Sequence, residues 1–400
     1  MKKLSFSLLA ALMLLNFAGC KKDEAPKAEE PKPEAAAEAP KDYCSTVTVD
    51  SLKALVKTVD KNNKKVLEDD SFASILEALQ CCQIEEKNFA LDRKNCVAED
   101  ALKAIREDKV LFPALSNVAS KLAKHESPIV RGRAYAAFSG LFGASDKDIS
   151  IAKDAIKNEK DPYALRELVK GLSNEGNKDP EVGKFLLDMS KHENKFVRRA
   201  AADALANSWS DKVEGAVDTV IALMSDEDEN VAKHACAGAG KLGDEKVIEP
   251  IVKILNDESK VKMHSDCMSG LSTLWLDFPF HEKHSENAYK AAMDYLKKTP
   301  RTKDIPSWSS VSTFSTVATT GDSFKKWKKD ATWFKYDEFK AVMLDLIKDD
   351  NFNWLGKSPA FKAIASFGGK AELESIQSVV DGLSDQKVKD SYKQALDNAK

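Results

Sequence analysis

Apolar residues recur every three or four positions through residues 108–276, in segments that each follow a turn rich in Asp, Asn or Glu. This spacing is typical of one buried face of an α-helix. The stripes predict the second helices of successive helix pairs, which begin 30 to 35 residues apart. These helices open near Val130, Leu165, Val197, Val231 and Val261. A helix pair that recurs at this period predicts a stack of repeats.

A repeated phrase supports this periodicity. Residues 124–131 read KHESPIVR and residues 191–198 read KHENKFVR, an offset of 67 residues, or about two helix pairs. In a stack of this kind each pair covers the apolar face of its neighbour, and the stacked surface binds partners along its length. The sequence therefore predicts an all-α fold, an α-solenoid of stacked helix pairs.

The stretch Glu193–Leu205 carries the clearest family resemblance. It is similar to the HEAT-repeat signature Asp-x-x-x-Val-Arg-x-x-Ala-Ala-x-Ala-Leu, in its short bacterial form. The resemblance covers about half of the chain, and residues 337–400 continue it more weakly. It implies HEAT-like repeats that bind other proteins, although such a pattern specifies architecture far better than activity. A few relatives are lyases, but no residue for that chemistry can be matched here, so we expect no enzyme and no cofactor.

Residues 1–19 predict an export signal, with a short basic start and an apolar stretch too short for a stable membrane span. The signal ends in FAGC, residues 17–20, which resembles the lipobox of bacterial lipoproteins. That resemblance implies cleavage before Cys20 and a lipid, such as palmitate, on the cysteine. The alternative is an ordinary secretory signal that leaves Cys20 free.

Residues 20–43 consist mainly of Lys, Glu, Ala and Pro. A segment with so few large apolar side chains predicts a disordered tether. By the lipoprotein resemblance, Lys21 in place of Asp after the lipidated cysteine implies sorting to the outer membrane. We therefore expect the folded part to be lipid-anchored there, on the periplasmic side rather than at the cell surface.

Residues 44–107 predict a cap of short helices that holds four cysteines, Cys44, Cys81, Cys82 and Cys96. Export places them in an oxidising compartment, where an even set of cysteines pairs. Cys81 and Cys82 are adjacent, and neighbouring cysteines rarely bond to each other. Two pairings remain: Cys44–Cys81 with Cys82–Cys96, or Cys44–Cys82 with Cys81–Cys96. A redox-active site would instead favour a Cys-x-x-Cys spacing, which the cap lacks.

A second group of candidate residues lies on two successive second helices: His234 and Cys236 on one, His264 and Cys267 on the next. Packed helices lie about 8–10 Å apart, so these side chains can meet. We favour buried core cysteines with histidines at the rim. A Cys236–Cys267 disulfide is the first alternative. A soft-metal site made by all four side chains is the second.

The helical period fails in residues 277–336, which are rich in Ser, Thr and aromatic residues. We favour an irregular repeat whose aromatic side chains fill the core. The alternative is a recognition surface, with Trp308, Trp327 and Trp333 as binding candidates, because Trp concentrates at binding hot spots. An enzyme site in this segment would need a deep pocket with convergent carboxylates or histidines.

The charge balance adds one exclusion. The chain has 61 Lys and Arg against 64 Asp and Glu, a net charge of −3, without the basic excess of a nucleic-acid-binding protein. Together the export signal, the tether and the repeats predict a lipid-anchored envelope scaffold or adaptor that binds other proteins. An envelope enzyme with its site in residues 277–336 and a metal-binding protein are the alternatives.

Overall fold

The computed structural model describes residues 41–56, 58–59, 64–140, 149–276, 283–299, 311 and 322–399. Regular structure in these ranges is predominantly α-helical. None of the helices described there is both long enough and apolar enough to cross a bilayer. Residues 1–19, Cys20, most of the tether, and Trp308 lie outside the described residues, so the predictions made for them stay predictions.

The N-terminal cap combines short helices with two β-hairpins. Its elements are α1 Lys41–Thr46, α2 Val49–Lys53, β1 Thr58–Val59, β2 Lys65–Val66, α3 Asp69–Glu77, β3 Ile84–Glu85, β4 Ala90–Leu91 and α4 Val97–Glu107. Both hairpins are antiparallel, β1 with β2 and β3 with β4. The prediction of a cap of short helices did not include these hairpins, because two-residue strands are too short to produce an alternating pattern.

Disulfides staple this cap, as predicted. Of the two pairings left open, the structure has Cys44–Cys81 and Cys82–Cys96. The bridges close loops of 37 and 14 residues. Loops of these lengths correspond to about 3–4 kcal/mol of stabilisation each in the chain-entropy account. The cap and the first repeat share one apolar cluster, which includes Leu76, Leu102 and Val130.

Helix pairs follow the cap. Their α-helices are α5 Ser116–Leu122, α6 Pro128–Tyr135, α7 Ile149–Asn158, α8 Pro162–Leu172, α9 Pro180–Met189, α10 Lys195–Leu205, α11 Ala216–Leu223, α12 Glu229–Gly238, α13 Ile248–Leu255 and α14 His264–Leu276. The second helices pack in a continuous row, α6 on α8, α8 on α10, α10 on α12 and α12 on α14. This row is the α-solenoid of stacked helix pairs that the periodicity predicted.

The starts of the second helices set the repeat period. The residues that precede α6, α8, α10 and α12 are Ser127, Asp161, Asn194 and Asp228, at intervals of 34, 33 and 34 residues. The last three accept hydrogen bonds from backbone N–H groups of the first turn, which satisfies donors that a helix start leaves unpaired.

These intervals correct one predicted position. The residue equivalent to Val130, Val197 and Val231 is Ala164, not Leu165, and all four are fully buried. Leu165 misled the sequence comparison because it is also apolar and also buried. The error shifts one helix by a single residue and leaves the architecture unchanged.

The second helices α12 and α14 approach closely enough for covalent linkage. Cys236 on α12 and Cys267 on α14 form a disulfide, and both are fully buried. A Cβ at Gly270 would lie only 2.3 Å from the carbonyl oxygen of Cys236. Glycine is therefore required for the two backbones to pack at this distance. Of the three interpretations of these cysteines, the disulfide is the one that the structure has, and the favoured reading of two unpaired core thiols is wrong.

The C-terminal part continues with helices. They are α15 Glu286–Lys298, α16 Asp322–Asp330, α17 Tyr336–Lys348, α18 Trp354–Gly368, α19 Lys370–Glu374, α20 Gln377–Asp381 and α21 Gln386–Asn398. Helix α18 packs on α17 and on α21. Asn353 and Asp385 cap α18 and α21 as their counterparts cap the earlier second helices.

An aromatic cluster occupies the core between these helices and the repeats. Its rings stack or meet edge to face with centroids 5.0–6.5 Å apart, a range in which aromatic pairs attract one another. The members are Trp275, Tyr289, Trp327, Trp333, Phe334, Phe339 and Phe367. The described part of residues 277–336 thus uses its aromatic residues for packing.

Candidate functional site

Arg131 joins its own inter-helix turn to the turn of the next repeat. Its Nε lies 2.7 Å from Oε2 of Glu159, and its Nη2 lies 2.9 Å from Oε1. Its Nη1 also donates to the carbonyl oxygens of His125 and Glu126 at 2.9 and 2.7 Å. The N–H groups of the Arg131 guanidinium are therefore hydrogen-bonded within the protein, and these bonds stabilise the contact between two repeats.

Arg198 makes the same contacts one double repeat later. It forms a bidentate pair with Asp226 at 2.8 and 2.9 Å, and its Nη1 donates to the carbonyl oxygens of His192 and Glu193. In both copies of the phrase the histidine Nδ1 accepts a hydrogen bond from the backbone N–H two residues on. Residues 124–131 and 191–198 therefore each form an inter-helix turn, and the arginine of each segment links that turn to the next repeat through an ion pair.

The electrostatics of the first copy fit this structural role. Burial alone would raise the pKa of Glu159, but hydrogen bonds from Arg131 and Tyr135 outweigh it and hold that pKa below the ordinary carboxyl value. Burial, followed by the hydrogen bond to Glu159, raises the pKa of the Tyr135 hydroxyl. The carboxylate is therefore ionised and already paired, and it is poorly suited to act as a general acid or base.

A cavity of about 310 Å³ lies beside this pair, and its walls include Lys124, His125 and Asp154. Arg131 and Glu159 also line it, but their hydrogen bonds are directed at each other and at the turn. The amide of Asn158 donates to the Asp154 carboxylate at 2.8 Å. Three of its charged groups, Arg131, Glu159 and Asp154, thus already have partners within the protein.

The broader candidate surface is the exposed side of the second helices, which we call the second-helix face. Its basic residues lie five positions after the helix caps: Arg166 on α8, Arg199 on α10 and Lys233 on α12. Two aromatic residues, Tyr163 and Phe196, lie two positions after the caps of α8 and α10. The same positions in successive repeats thus build one continuous surface.

The cap reaches onto this face. Phe89, in the loop between β3 and β4, stacks on the ring of Phe196 with centroids 4.9 Å apart and meets Tyr163 edge to face at 6.1 Å. Arg166 donates to the carbonyl oxygen of Phe89, and the Arg199 guanidinium lies 5.5 Å from the Phe196 centroid. The second-helix face therefore already holds an aromatic side chain that a hairpin presents.

Acidic side chains on this face balance part of its positive charge. Arg166 lies 3.1 Å from Glu167, Lys233 lies 2.5 Å from Glu229, and Nδ1 of His234 lies 2.6 Å from Asp203. Basic and acidic side chains thus lie next to each other along the second helices. A surface of this kind suits a partner whose own charges are complementary in sign and position, since charge complementarity gives specificity.

The four metal candidates do not come together as a ligand set. Cys236 and Cys267 bond to each other, and His234 pairs with Asp203 at the surface. His264 is buried, where its Nε2 lies 3.1 Å from the carbonyl oxygen of Ile254 and its Nδ1 lies 3.1 Å from the Tyr295 hydroxyl. The four side chains therefore do not form the soft-metal site that was the second alternative. Across the described ranges, no group of three or more His, Cys, Asp or Glu side chains is arranged to hold a metal.

Two of the tryptophan binding candidates, Trp327 and Trp333, differ in burial. Trp327 is fully buried, and its Nε1 donates to the carbonyl oxygen of Trp275 at 2.6 Å, so it fills the core, as the favoured interpretation expected, and is not the binding residue of the alternative. Trp333 is half-buried against the same cluster. Sequence reasoning missed Phe89, Tyr163, Phe196, Arg166 and Arg199, although aligning the repeats on their helix caps would have placed the last four on one face.

Comparison with known proteins agrees with this architecture. Residues 183–264 match the family of HEAT repeats. A search of curated proteins finds no match.

Among solved structures, an engineered protein is 14% identical, with 88% of this chain and 98% of that chain covered and a TM-score of 0.37. An archaeal HEAT-like repeats protein from Thermococcus onnurineus is 18% identical, with 60% and 97% covered and a TM-score of 0.32. Kap121p is 12% identical, with 88% and 42% covered and a TM-score of 0.34. The family match by itself identifies HEAT repeats in residues 183–264.

Proposed function

We propose that this protein is a lipid-anchored envelope scaffold or adaptor that binds other proteins through the second-helix face of its HEAT-like solenoid. The observation that carries the proposal is the docking of Phe89 against Tyr163 and Phe196. It supports the view that this face accepts a protruding hairpin of polypeptide. Stacked repeats typically bind partners along such a face through many small contacts.

The lipid anchor rests on the sequence and on the cysteine pairing. The chain has seven cysteines, and six of them form the three disulfides. The remaining one is Cys20, at the end of the lipobox-like segment. Several acyl chains on one cysteine give stable anchoring, since each buried CH₂ contributes about 0.8 kcal/mol and a single chain binds only marginally.

The proposed location is the outer membrane, with the solenoid on the periplasmic side. The part of the tether that precedes α1, residues 20–40, would span at most roughly 70 Å at about 3.3 Å per residue. The anchor would raise the effective concentration of any bound protein near the membrane. We propose neither a catalytic role nor nucleic acid as a partner, in keeping with a balanced charge of −3.

Site-specific photo-crosslinking in intact bacteria tests the binding role. A photo-reactive amino acid replaces Arg199 or Lys233 on the second-helix face, and in the control it replaces Lys241 or Lys253, which are exposed but lie outside the second helices. We expect discrete protein adducts when the photo-reactive residue is at Arg199 or Lys233. The same adducts should not form when it is at Lys241 or Lys253. Equal adducts from both pairs, or none from either, would refute binding through this face.

Metabolic labelling tests the anchor separately. We expect labelled fatty acid on the mature protein and its loss in Cys20→Ala, with the Cys20→Ala protein released from the membrane fraction. A mature protein that retains Cys20 without label would contradict the anchor and leave the binding role to the crosslinking result.

A further inference from the structure

Helix α16, Asp322–Asp330, carries aromatic and basic side chains on two different sides. Phe324 and Trp327 are buried. With 3.6 residues per turn, the basic side chains cover an arc of about 160° that contains neither aromatic residue. We call this arc the lysine face, and its four exposed members are Lys325, Lys326, Lys328 and Lys329.

Buried contacts fix the lysine face on the folded core. Nε1 of Trp327 donates to the carbonyl oxygen of Trp275 at 2.6 Å. The Trp327 ring lies 5.1 Å from Phe334 and 5.6 Å from Phe367, measured between centroids. Phe324 stacks on Trp327 at 5.6 Å. The lysines thus project from a packed helix, and the helix sets the spacing between them.

The lysine face is basic although the chain as a whole is acidic. Helix α16 has four lysines and two aspartates, a net charge of +2, whereas the whole chain has a net charge of −3. Lys326 pairs with Asp330 at 2.6 Å and its side chain is still 62% exposed. Among the residues that the structure describes, Lys328 and Lys329 have no ion-pair partner. Positive charge is therefore available to a partner on this face.

We propose that the lysine face binds the anionic surface of a phospholipid bilayer. Clusters of roughly four to eight basic residues on an amphipathic helix typically bind anionic headgroups. Lysine is a flexible point charge that suits a diffuse layer of headgroups, whereas a single fixed carboxylate favours the paired donors of arginine. Because Phe324 and Trp327 are buried in the core, the contact is electrostatic and does not insert aromatic rings into the lipid.

The proposed lipid anchor favours a bilayer over other anionic partners. Residues 20–40 would hold the folded part within roughly 70 Å of the membrane. The lysine face would therefore meet headgroups at a high effective concentration, whereas an acidic polypeptide would have to arrive from solution. This step rests on the lipid anchor of the proposed function, but the lysine face itself does not depend on it.

Sedimentation with lipid vesicles tests the lysine face without the anchor. The protein is the mature chain, residues 20–400, with Cys20→Ala, so that no acyl chain contributes to binding. The vesicles are phosphatidylcholine with about 30% phosphatidylglycerol, an anionic lipid. We expect the quadruple variant Lys325→Gln/Lys326→Gln/Lys328→Gln/Lys329→Gln to lower the partition coefficient at least about tenfold, and Lys328→Gln/Lys329→Gln at least about threefold.

A charge-matched variant and two changes of condition serve as controls. The variant removes the same charge from exposed lysines outside α16 and should change binding less than about twofold. Its substitutions are Lys103→Gln, Lys241→Gln, Lys246→Gln and Lys253→Gln. The parent should not sediment with vesicles of phosphatidylcholine alone. Salt at about 0.5 M should release the parent from the anionic vesicles, because it screens the attraction.

Unchanged binding by the quadruple variant, or an equal loss in the charge-matched control, would overturn the proposal, because another surface or the net charge would then explain the binding. Displacement by soluble polyglutamate at a lower concentration of charge than the exposed phosphatidylglycerol would also overturn it, in favour of an acidic polypeptide. If the vesicles do not bind but labelled fatty acid is found on Cys20, only this inference falls. If lysine-dependent binding is found without label on Cys20, the lysine face stands and the lipid anchor fails.

Discussion

Arg131 and Glu159 lie 28 residues apart and form a 2.7 Å ion pair, which Arg198 and Asp226 repeat over the same separation at 2.8 Å. Each pair crosses from the start of one second helix to the turn before the next. Bidentate geometry and carbonyl acceptors satisfy most of the guanidinium donors, which offsets the cost of removing the charges from water. The pairs therefore specify how neighbouring repeats sit on each other.

Replacing Arg198 tests how much the ion pair with Asp226 stabilises the contact between repeats. The Arg198 and Asp226 side chains are each only 9% exposed, so Arg198→Met would leave an unpaired carboxylate in a poorly hydrated site. We expect a loss of about 3–5 kcal/mol in the free energy of unfolding, measured by urea denaturation. Lys184→Met removes the partner of Asp188 in an exposed pair and should cost less than about 1 kcal/mol. Similar losses in both variants would contradict the fastening role.

Adding a methyl group tests the close approach of α12 and α14. Gly270→Ala would place a Cβ 2.3 Å from the Cys236 carbonyl oxygen, so the two helices must separate. We expect a loss of about 1–3 kcal/mol, since overpacking of a core typically costs that much. In the control Gly382→Ala the nearest atom lies 3.5 Å away, and the thermal midpoint should stay the same or rise. A Gly270→Ala protein as stable as the parent would show that the helices pack less tightly than described.

The neutral state of His264 predicts a pH dependence of stability. Burial lowers the pKa of His264, with hydrogen bonds to the carbonyl oxygens of Asp257 and Ile254 opposing the shift. Below the ordinary value of about 6.5 the unfolded chain binds a proton that the folded protein excludes. The free energy of unfolding should therefore fall as the pH drops from about 6.5 towards the lower folded pKa.

Comparing unfolding curves at pH 7.5 and 5.5 checks this expectation. His264→Gln should lose part of the decrease between these two pH values, while His234→Gln, at a more exposed position, should keep it. Burial also lowers the pKa values of His125 and His192, so some decrease is expected to remain. An identical decrease in parent and His264→Gln would exclude His264 as a contributor.

The buried position of Trp327 predicts a large effect on stability. Trp327→Ala removes a ring that packs against Phe324, Phe334 and Phe367. We expect a loss of about 3–5 kcal/mol by urea denaturation. Trp354→Ala, at a half-buried ring beneath Lys387, should cost less than half as much. If the two variants lose the same stability, Trp327 does not belong to the tight core.

The buried positions of the second helices show which features the sequence predicts and which it does not. The buried row Val130, Val197 and Val231 was predictable because burial of one helix face leaves an apolar period in the chain. The shift from Leu165 to Ala164 was not, because either residue fits an apolar position. Only the cap at Asp161, fixed by hydrogen bonds from the first turn of α8, decides between them.

The cysteine pairings were likewise only partly predictable from the sequence. Pairing within the cap was predictable from their even number, but the choice of Cys44–Cys81 over Cys44–Cys82 depends on how the chain folds back on itself. Cys236–Cys267 depends on the close contact of α12 and α14 that Gly270 permits. Neither contact produces a signal in a single sequence.

The order of residues along the chain by itself determined the helix pairs, their period and their stacking, because local turns and one-sided apolar stripes are short-range properties. The tertiary structure alone decided which polar groups are paired, as the Arg131 guanidinium is with Glu159, and which are not, as Nε of Arg133 has no hydrogen-bond partner among the described residues. It also placed Phe89 on Phe196. Such contacts join residues distant in sequence, and only the packing of the repeats brings them within bonding distance.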